Sequence, residues 1–181
     1  MITDITQTLS KCELLAQLTE EEIKSIAPLC QIETFHFGET VFRQGEQGTK
    51  VYIIKEGQIA LERSVDLGGR KAQLNIAILG PGKALGCWLA LLGETHCLMS
   101  SAICNRKTVV ISLEGPVLRS VLEKNLAAGF KVMETLAYIL RDRLRGGLRC
   151  HGKIVVMLHT LPTTSPPQKF YLEREEFINY I

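Results

Sequence analysis

The sequence predicts a mainly β fold with flanking helices (α+β): a small antiparallel roll or sandwich, led in by short helices and followed by a long one. Three observations carry that reading. Between Ile32 and Leu79 the chain passes through short β-rich runs cut by glycine turns. Before and after that region, apolar residues fall on helical spacing instead. With 181 residues, 46% of them hydrophobic, the chain can also bury a real core, as one domain with an appendage.

Taken in order, ELLAQLTEEEIKSIAPLC puts Leu14, Leu15, Leu18, Ile23, Ile26 and Leu29 on helical spacing and reads as two short helices. Thr19, with Glu22 three positions on, makes a capping box for the second. The strands that follow are TFHF, TVFRQG, KVYIIKEGQIALERSV and AQLNIAIL, with turns at Gly38, Gly45, Gly57 and DLGGRK. Two β-branched runs flank Lys55-Glu56-Gly57, where the glycine can take positive φ, so a hairpin is expected there. TVVISL adds a further strand after the cysteine-bearing segment considered below.

Helical sequence then runs from Pro116 to about Arg145. Within it Phe130, Met133, Ala137, Leu140 and Leu144 fall at steps of 3, 4, 3 and 4, an a/d seam. Such a seam either packs the helix on its own roll or pairs two copies in a parallel dimer. The Arg145-Gly146-Gly147 triplet is expected to end the helix or to form a hinge. Beyond it, KIVVMLHTL reads as helical or buried, PTTSPP as a loop and KFYL as a short strand. EREEFINYI opens a helix with Phe177, Ile178 and Ile181 on one face.

Composition narrows the function class. No apolar run reaches the roughly 18 to 20 residues that span a bilayer, and the start, with Asp4 and no early basic cluster, lacks a secretory signal pattern. A cytoplasmic protein without a membrane partner is expected. The net charge of +2 does not by itself imply nucleic acid, although seven Lys/Arg against four Asp/Glu from Arg141 onward make that the mildly basic end. There is no P-loop, GxSxG, HExxH or paired-carboxylate constellation, so no enzyme is expected.

The six cysteines, at 12, 30, 87, 97, 104 and 150, form no CxxC pair and read as free thiols in a reducing compartment. Three of them lie in LGCWLALLGETHCLMSSAIC, residues 85–104, together with the only tryptophan, one carboxylate and no Lys or Arg. Cys87, His96, Cys97 and Cys104 are types that zinc, iron–sulfur or haem iron takes. Lone Cys and His nevertheless serve more often as core or surface residues, and neighbours such as His96 and Cys97 on an extended chain point to opposite sides. No metal ligand is assigned.

FRQGEQGTKVYIIKEGQIALE with glycines at 45 and 57, LGPGKALG with glycines at 82 and 86, SSA at 100–102, the helical lead-in and the long helix together resemble the cyclic-nucleotide-binding domain of Crp-Fnr type transcription regulators, from about Leu14 to Arg145. The resemblance implies an antiparallel double-stranded β-helix, jelly-roll-like, and a homodimer through a long helix carrying Phe130, Met133, Ala137, Leu140 and Leu144. Residues 153–181 resemble the opening of the family's winged helix-turn-helix.

It also implies that Gly86, Cys87, Trp88, Leu89, Ser100, Ser101 and Ala102 stand in the family's phosphate-binding cassette. In relatives that bind cyclic AMP, a Glu after the glycine accepts from the ribose 2′-hydroxyl, and an Arg before the Ser/Thr-Ala pair neutralises the phosphate at a helix N-terminus. Here Cys87 stands at the Glu position and Ser100 at the Arg position, in a loop a few residues longer than usual. Charged hydrogen bonds contribute about 1.5 to 3 kcal/mol each, so losing two weakens such a site by about three orders of magnitude. Cyclic AMP is therefore disfavoured. The pocket is expected to take a more apolar or metal-containing effector, haem among them, or to be filled by Trp88, Leu89, Leu91, Leu92 and Leu98 as plain core.

The expected organisation is a roll with N-terminal helices over 1–115, a long helix over 116–147 and a partial winged helix-turn-helix over 148–181, lacking the second helix that would enter the major groove. The expected function is a Crp-Fnr-like transcription regulator with an effector-sensing domain that does not use cyclic AMP, meeting DNA only in a longer form. The competing expectation is a stand-alone effector-binding or protein-interaction module with no DNA role.

Overall fold

Alternation along the strands decides which of two cores each side chain joins. In this computed structural model, which describes residues 2–66 and 71–160, helices α1 (Ile2–Lys11) and α2 (Glu20–Ile26) lead into the strands β1 (Gln31–Phe35), β2 (Thr40–Phe42), β3 (Gln47–Gly48), β4 (Lys50–Glu56) and β5 (Ile59–Asp66). Strands β6 (Lys71–Leu79), β7 (Ala84–Gly86), β8 (His96–Cys97), β9 (Ser101–Cys104) and β10 (Thr108–Glu114) complete the roll, and helices α3 (Gly115–Lys124) and α4 (Leu126–Thr160) follow. One antiparallel sheet has the order β1-β10-β4-β7, the second β2-β9-β5-β6, and β3 pairs with β8 as a short ribbon.

The two large sheets enclose one core. Ile54 and Leu85 from the first sheet meet Phe42, Ile59, Leu61, Leu79, Ala102 and Cys104 from the second. The other face of the first sheet packs on helices: Val51, Ile53, Ala84, Ile111 and Leu113 join Leu9, Leu15, Ile23, Leu118, Val132 and Leu136. Adjacent residues such as Ile53 and Ile54, or Ala84 and Leu85, thus point into opposite cores, as a pleated strand buried on both faces requires. Each fully buried aliphatic side chain contributes about 1.5 to 3 kcal/mol.

The antiparallel jelly-roll with flanking helices is therefore as expected. The hairpin is present, with β4 and β5 joined through Gly57 at φ 95°, and a Cβ there would meet the backbone of Thr108 at 2.6 Å. The capping box is also present: the Thr19 hydroxyl accepts from the Glu22 N–H at 3.3 Å, and the Glu22 carboxylate accepts from the Thr19 N–H at 2.7 Å.

Several elements differ from expectation. The first helix lies upstream, at Ile2–Lys11, and Leu14 and Leu15 are buried from a run of turns instead. The helix expected from Pro116 to Arg145 is broken at Asn125, whose side-chain oxygen accepts from the Ala128 N–H at 3.1 Å and so starts α4 afresh. Arg145-Gly146-Gly147 does not end the helix, because α4 continues to Thr160. The turn at 67–70 and the expected loop, strand and helix over 161–181 lie outside the described residues. The chain divides into Met1–Leu148, which holds both cores, and Arg149–Ile181, of which residues 149–160 are helical. Among the described residues no helix is long and apolar enough to cross a membrane.

Candidate functional site

The cassette begins where β7 runs beside β4, with Gly86 opposite Val51 and Leu85 opposite Tyr52. Gly86 takes φ 119° and lies against the Lys50 carbonyl, which leaves no room for a side chain. Cys87 follows with its N–H donating to that same Lys50 carbonyl at 2.9 Å, and its side chain is only 4% exposed. Trp88 then starts a 3₁₀ turn, Leu89–Leu92, closed by Gly93 in the left-handed region. The half-buried Trp88 ring packs against the helix-side core.

The far arm returns through β8 and β9. Its Leu98 N–H donates to the Glu46 carbonyl at 2.8 Å, and the Gly45 N–H donates to the Leu98 carbonyl at 2.7 Å, so the loop is laced onto the Gly45–Gly48 segment. The two arms meet over Gly48, where a Cβ would come within 2.9 Å of both the Cys87 Cβ and the Leu98 side chain. Ser100 is half-buried just before β9, the Ser101 hydroxyl accepts from the Gln44 N–H at 3.0 Å, and Ala102 is fully buried in the roll core. The structure thus brings Cys87 and Leu98, two uncharged side chains, together over Gly48, while Ser101 and Ala102 are held at β9. Leu91 is buried, Trp88, Leu89 and Leu98 are half-buried, and Leu92 is exposed, so Leu92 does not serve as core. Beside them, burial pushes the Tyr52 hydroxyl up to about 12, with Glu33, Glu114 and Glu46 adding to the shift, so it stays neutral.

The cysteines and histidine singled out from the sequence are not gathered. Cys87 and Cys104 are buried, His96 and Cys97 are exposed on β8, and the Cys97 sulfur accepts from the Gln47 side-chain amide at 3.4 Å. Among the described residues no group of three His, Cys, Asp or Glu side chains is placed to hold a metal ion.

Residues that sequence reasoning missed close the other side. A cleft of about 330 Å³ lies between β5 and β6 (Leu61, Ile76, Ala77, Leu79) and α4 (Thr135, Tyr138, Ile139, Asp142, Arg143), with Glu13 and Lys83 completing its lining. No cassette residue lines it. Arg143 sits 5.1 Å above the Trp88 ring centroid and donates to the Ala84 carbonyl. Its face of α4 is spaced 132, 136, 139 and 143, the signal that could have found it. The a/d seam lies on a neighbouring stripe: Phe130, Ala137 and Leu140 are exposed and Met133 is half-buried against the core, while the Leu144 side chain is outside the described residues.

Comparison with known proteins adds the following. Residues 32–125 match the sequence family described as cyclic nucleotide-binding domain. The chain is 35% identical over 86 residues to a cGMP-dependent protein kinase of Caenorhabditis briggsae, covering 48% of this chain and 11% of the kinase. It is 28% identical over 132 residues to the cyclic AMP receptor protein of Thermus thermophilus, covering 71% of this chain and 55% of the receptor. A cyclic nucleotide-binding domain from Methylobacillus flagellatus shares the fold, with a TM-score of 0.67 at 19% identity over 91% of this chain and 86% of that one. The chain thus spans a tenth to about half of these curated relatives.

Proposed function

Because the chain belongs to the cyclic nucleotide-binding domain family, we propose that it is the effector-sensing part of a Crp-Fnr-like transcription regulator whose cassette does not hold cyclic AMP. The observation that carries this reading is the neutral cassette wall. Where cyclic-AMP-binding relatives carry a carboxylate and a guanidinium, this chain has the 4% exposed Cys87 and the half-buried Ser100, and Leu98 packs beside Cys87 over Gly48. An effector would then act from the α4 side, and homodimer formation along Phe130, Ala137 and Leu140, joined by Met133 and Leu144, would pass its effect to a second copy. That transfer requires different effector affinities for the two poses of α4.

Titrating the protein with cyclic AMP while following Trp88 fluorescence tests the cassette reading. No saturable change up to millimolar nucleotide is expected, with calorimetry as a check on a silent probe. A saturable response at micromolar nucleotide would mean that backbone amides and the rearranged loop replace the missing Glu and Arg, and the proposal would fall.

The match to a protein kinase over 86 residues favours a second reading, in which the domain is a sensing or interaction module without a DNA role. A gel-shift assay separates the two. Salt-dependent DNA binding supports the regulator, and its absence supports the module.

A further inference from the structure

We propose that Arg143 is a positioning residue, a built-in latch that ties α4 to the cassette without any ligand, so that the closed pose of the helix is the resting state. The idea rests on the neutral-cassette reading above and adds the regulation of that same site. Arg143 projects from the inward face of α4, and its side chain is 23% exposed. One of its terminal nitrogens donates to the Ala84 carbonyl in β7, two residues before Gly86, and lies 3.4 Å from Glu13 Oε1. The same carboxylate oxygen accepts from the Ala84 N–H at 3.0 Å, while Glu13 Oε2 takes Lys83 at 2.7 Å. The guanidinium plane also lies over Trp88, the residue that opens the 3₁₀ turn of the cassette.

Three separate parts of the chain therefore meet on one cation: the segment after α1, the β7 edge and α4. A guanidinium shielded to this degree has given up much of its water. It is tolerated because its fork finds a carbonyl, a carboxylate and a ring face together, a combination that an ammonium does not match. In the family's logic, an effector joins the cassette to the long helix. Here protein atoms already make that junction, at the wall of a cleft in which the buried Thr135 hydroxyl has no hydrogen-bond partner.

The test uses the full chain with no ligand added, so its outcome is independent of the cyclic AMP titration. Trp88 is the only tryptophan, and its acrylamide quenching reports the stacked guanidinium, while amide exchange over residues 84–92 reports the cassette. In R143M, quenching is expected to rise about twofold and exchange over 84–92 to quicken about tenfold. Exchange in the β10–β4 ladder should stay unchanged. If both readouts match the parent protein, or if the ladder loosens in step with the cassette, Arg143 is ordinary core and the latch is overturned. Should R143M not fold, R143K keeps the charge and loses the planar fork: faster exchange over 84–92 with the β10–β4 ladder unchanged supports the latch, and unchanged exchange overturns it.

Discussion

Burial at Cys12 turns a thiol into a pH-dependent contributor to stability. The side chain is fully enclosed, and loss of water pushes its pKa up from 9.0 to about 11. The folded value lies above the unfolded one, so the contribution is complete below pH 9 and is lost as pH rises toward about 11, because only the unfolded chain releases the proton in that window. A rise of that size corresponds to about 2 to 3 kcal/mol. Urea melts between pH 8 and 11 should show stability falling from about pH 9 and a shallower fall in C12A; an identical slope in both proteins would contradict the assignment. Among single residues, Gly57 was legible because a glycine between two β-branched runs has few other uses. Arg143 was not. It reads as one of three alternating arginines, 141, 143 and 145, and only the three-dimensional course of α4 singles out the middle one.

At the scale of elements, α4 carries two stripes that call for opposite experiments. Leu136 is 7% exposed against the helix-side core, whereas Leu140 is 37% exposed on the seam. Leu136→Ala should lower unfolding free energy by about 2 to 5 kcal/mol, read by denaturant melts, with the native mass unchanged. Leu140→Asp should leave the fold nearly as stable and convert dimers to monomers in light scattering. An unchanged mass would remove the seam from the dimer proposal. The sequence showed the hairpin and the capping box because both are local devices with fixed spacing. It hid α1, whose Ile2, Thr3, Ile5 and Thr6 are β-branched and favour strand, so the helix depends on Ile5 and Leu9 packing into the core. It hid β3, β7 and β8 because two or three residues are too few to display a period of 2. The break at Asn125 was overlooked because the apolar periodicity resumes almost in phase, and only the side-chain cap reveals a second helix start.

For the whole molecule, both hydrophobic cores lie within residues 1–148. A fragment ending at Leu148 should melt in a single cooperative transition by both far-UV and Trp88 signals; separate transitions would show that the roll does not stand alone. The strand order carries one more consequence, for a chain still being made. In the first sheet β10 lies between β1 and β4, so β1 has no neighbour in that sheet, and β4 only β7, until residue 114 has left the ribosome. At roughly 5 to 20 residues per second, β4 waits several seconds with an unpaired edge on the side that β10 will occupy. During those seconds the nascent chain exposes Val51, Ile53 and Ile54 on a strand open to any passing edge, which makes the first half of the roll a client for holding chaperones and the arrival of Thr108–Glu114 the event that releases it.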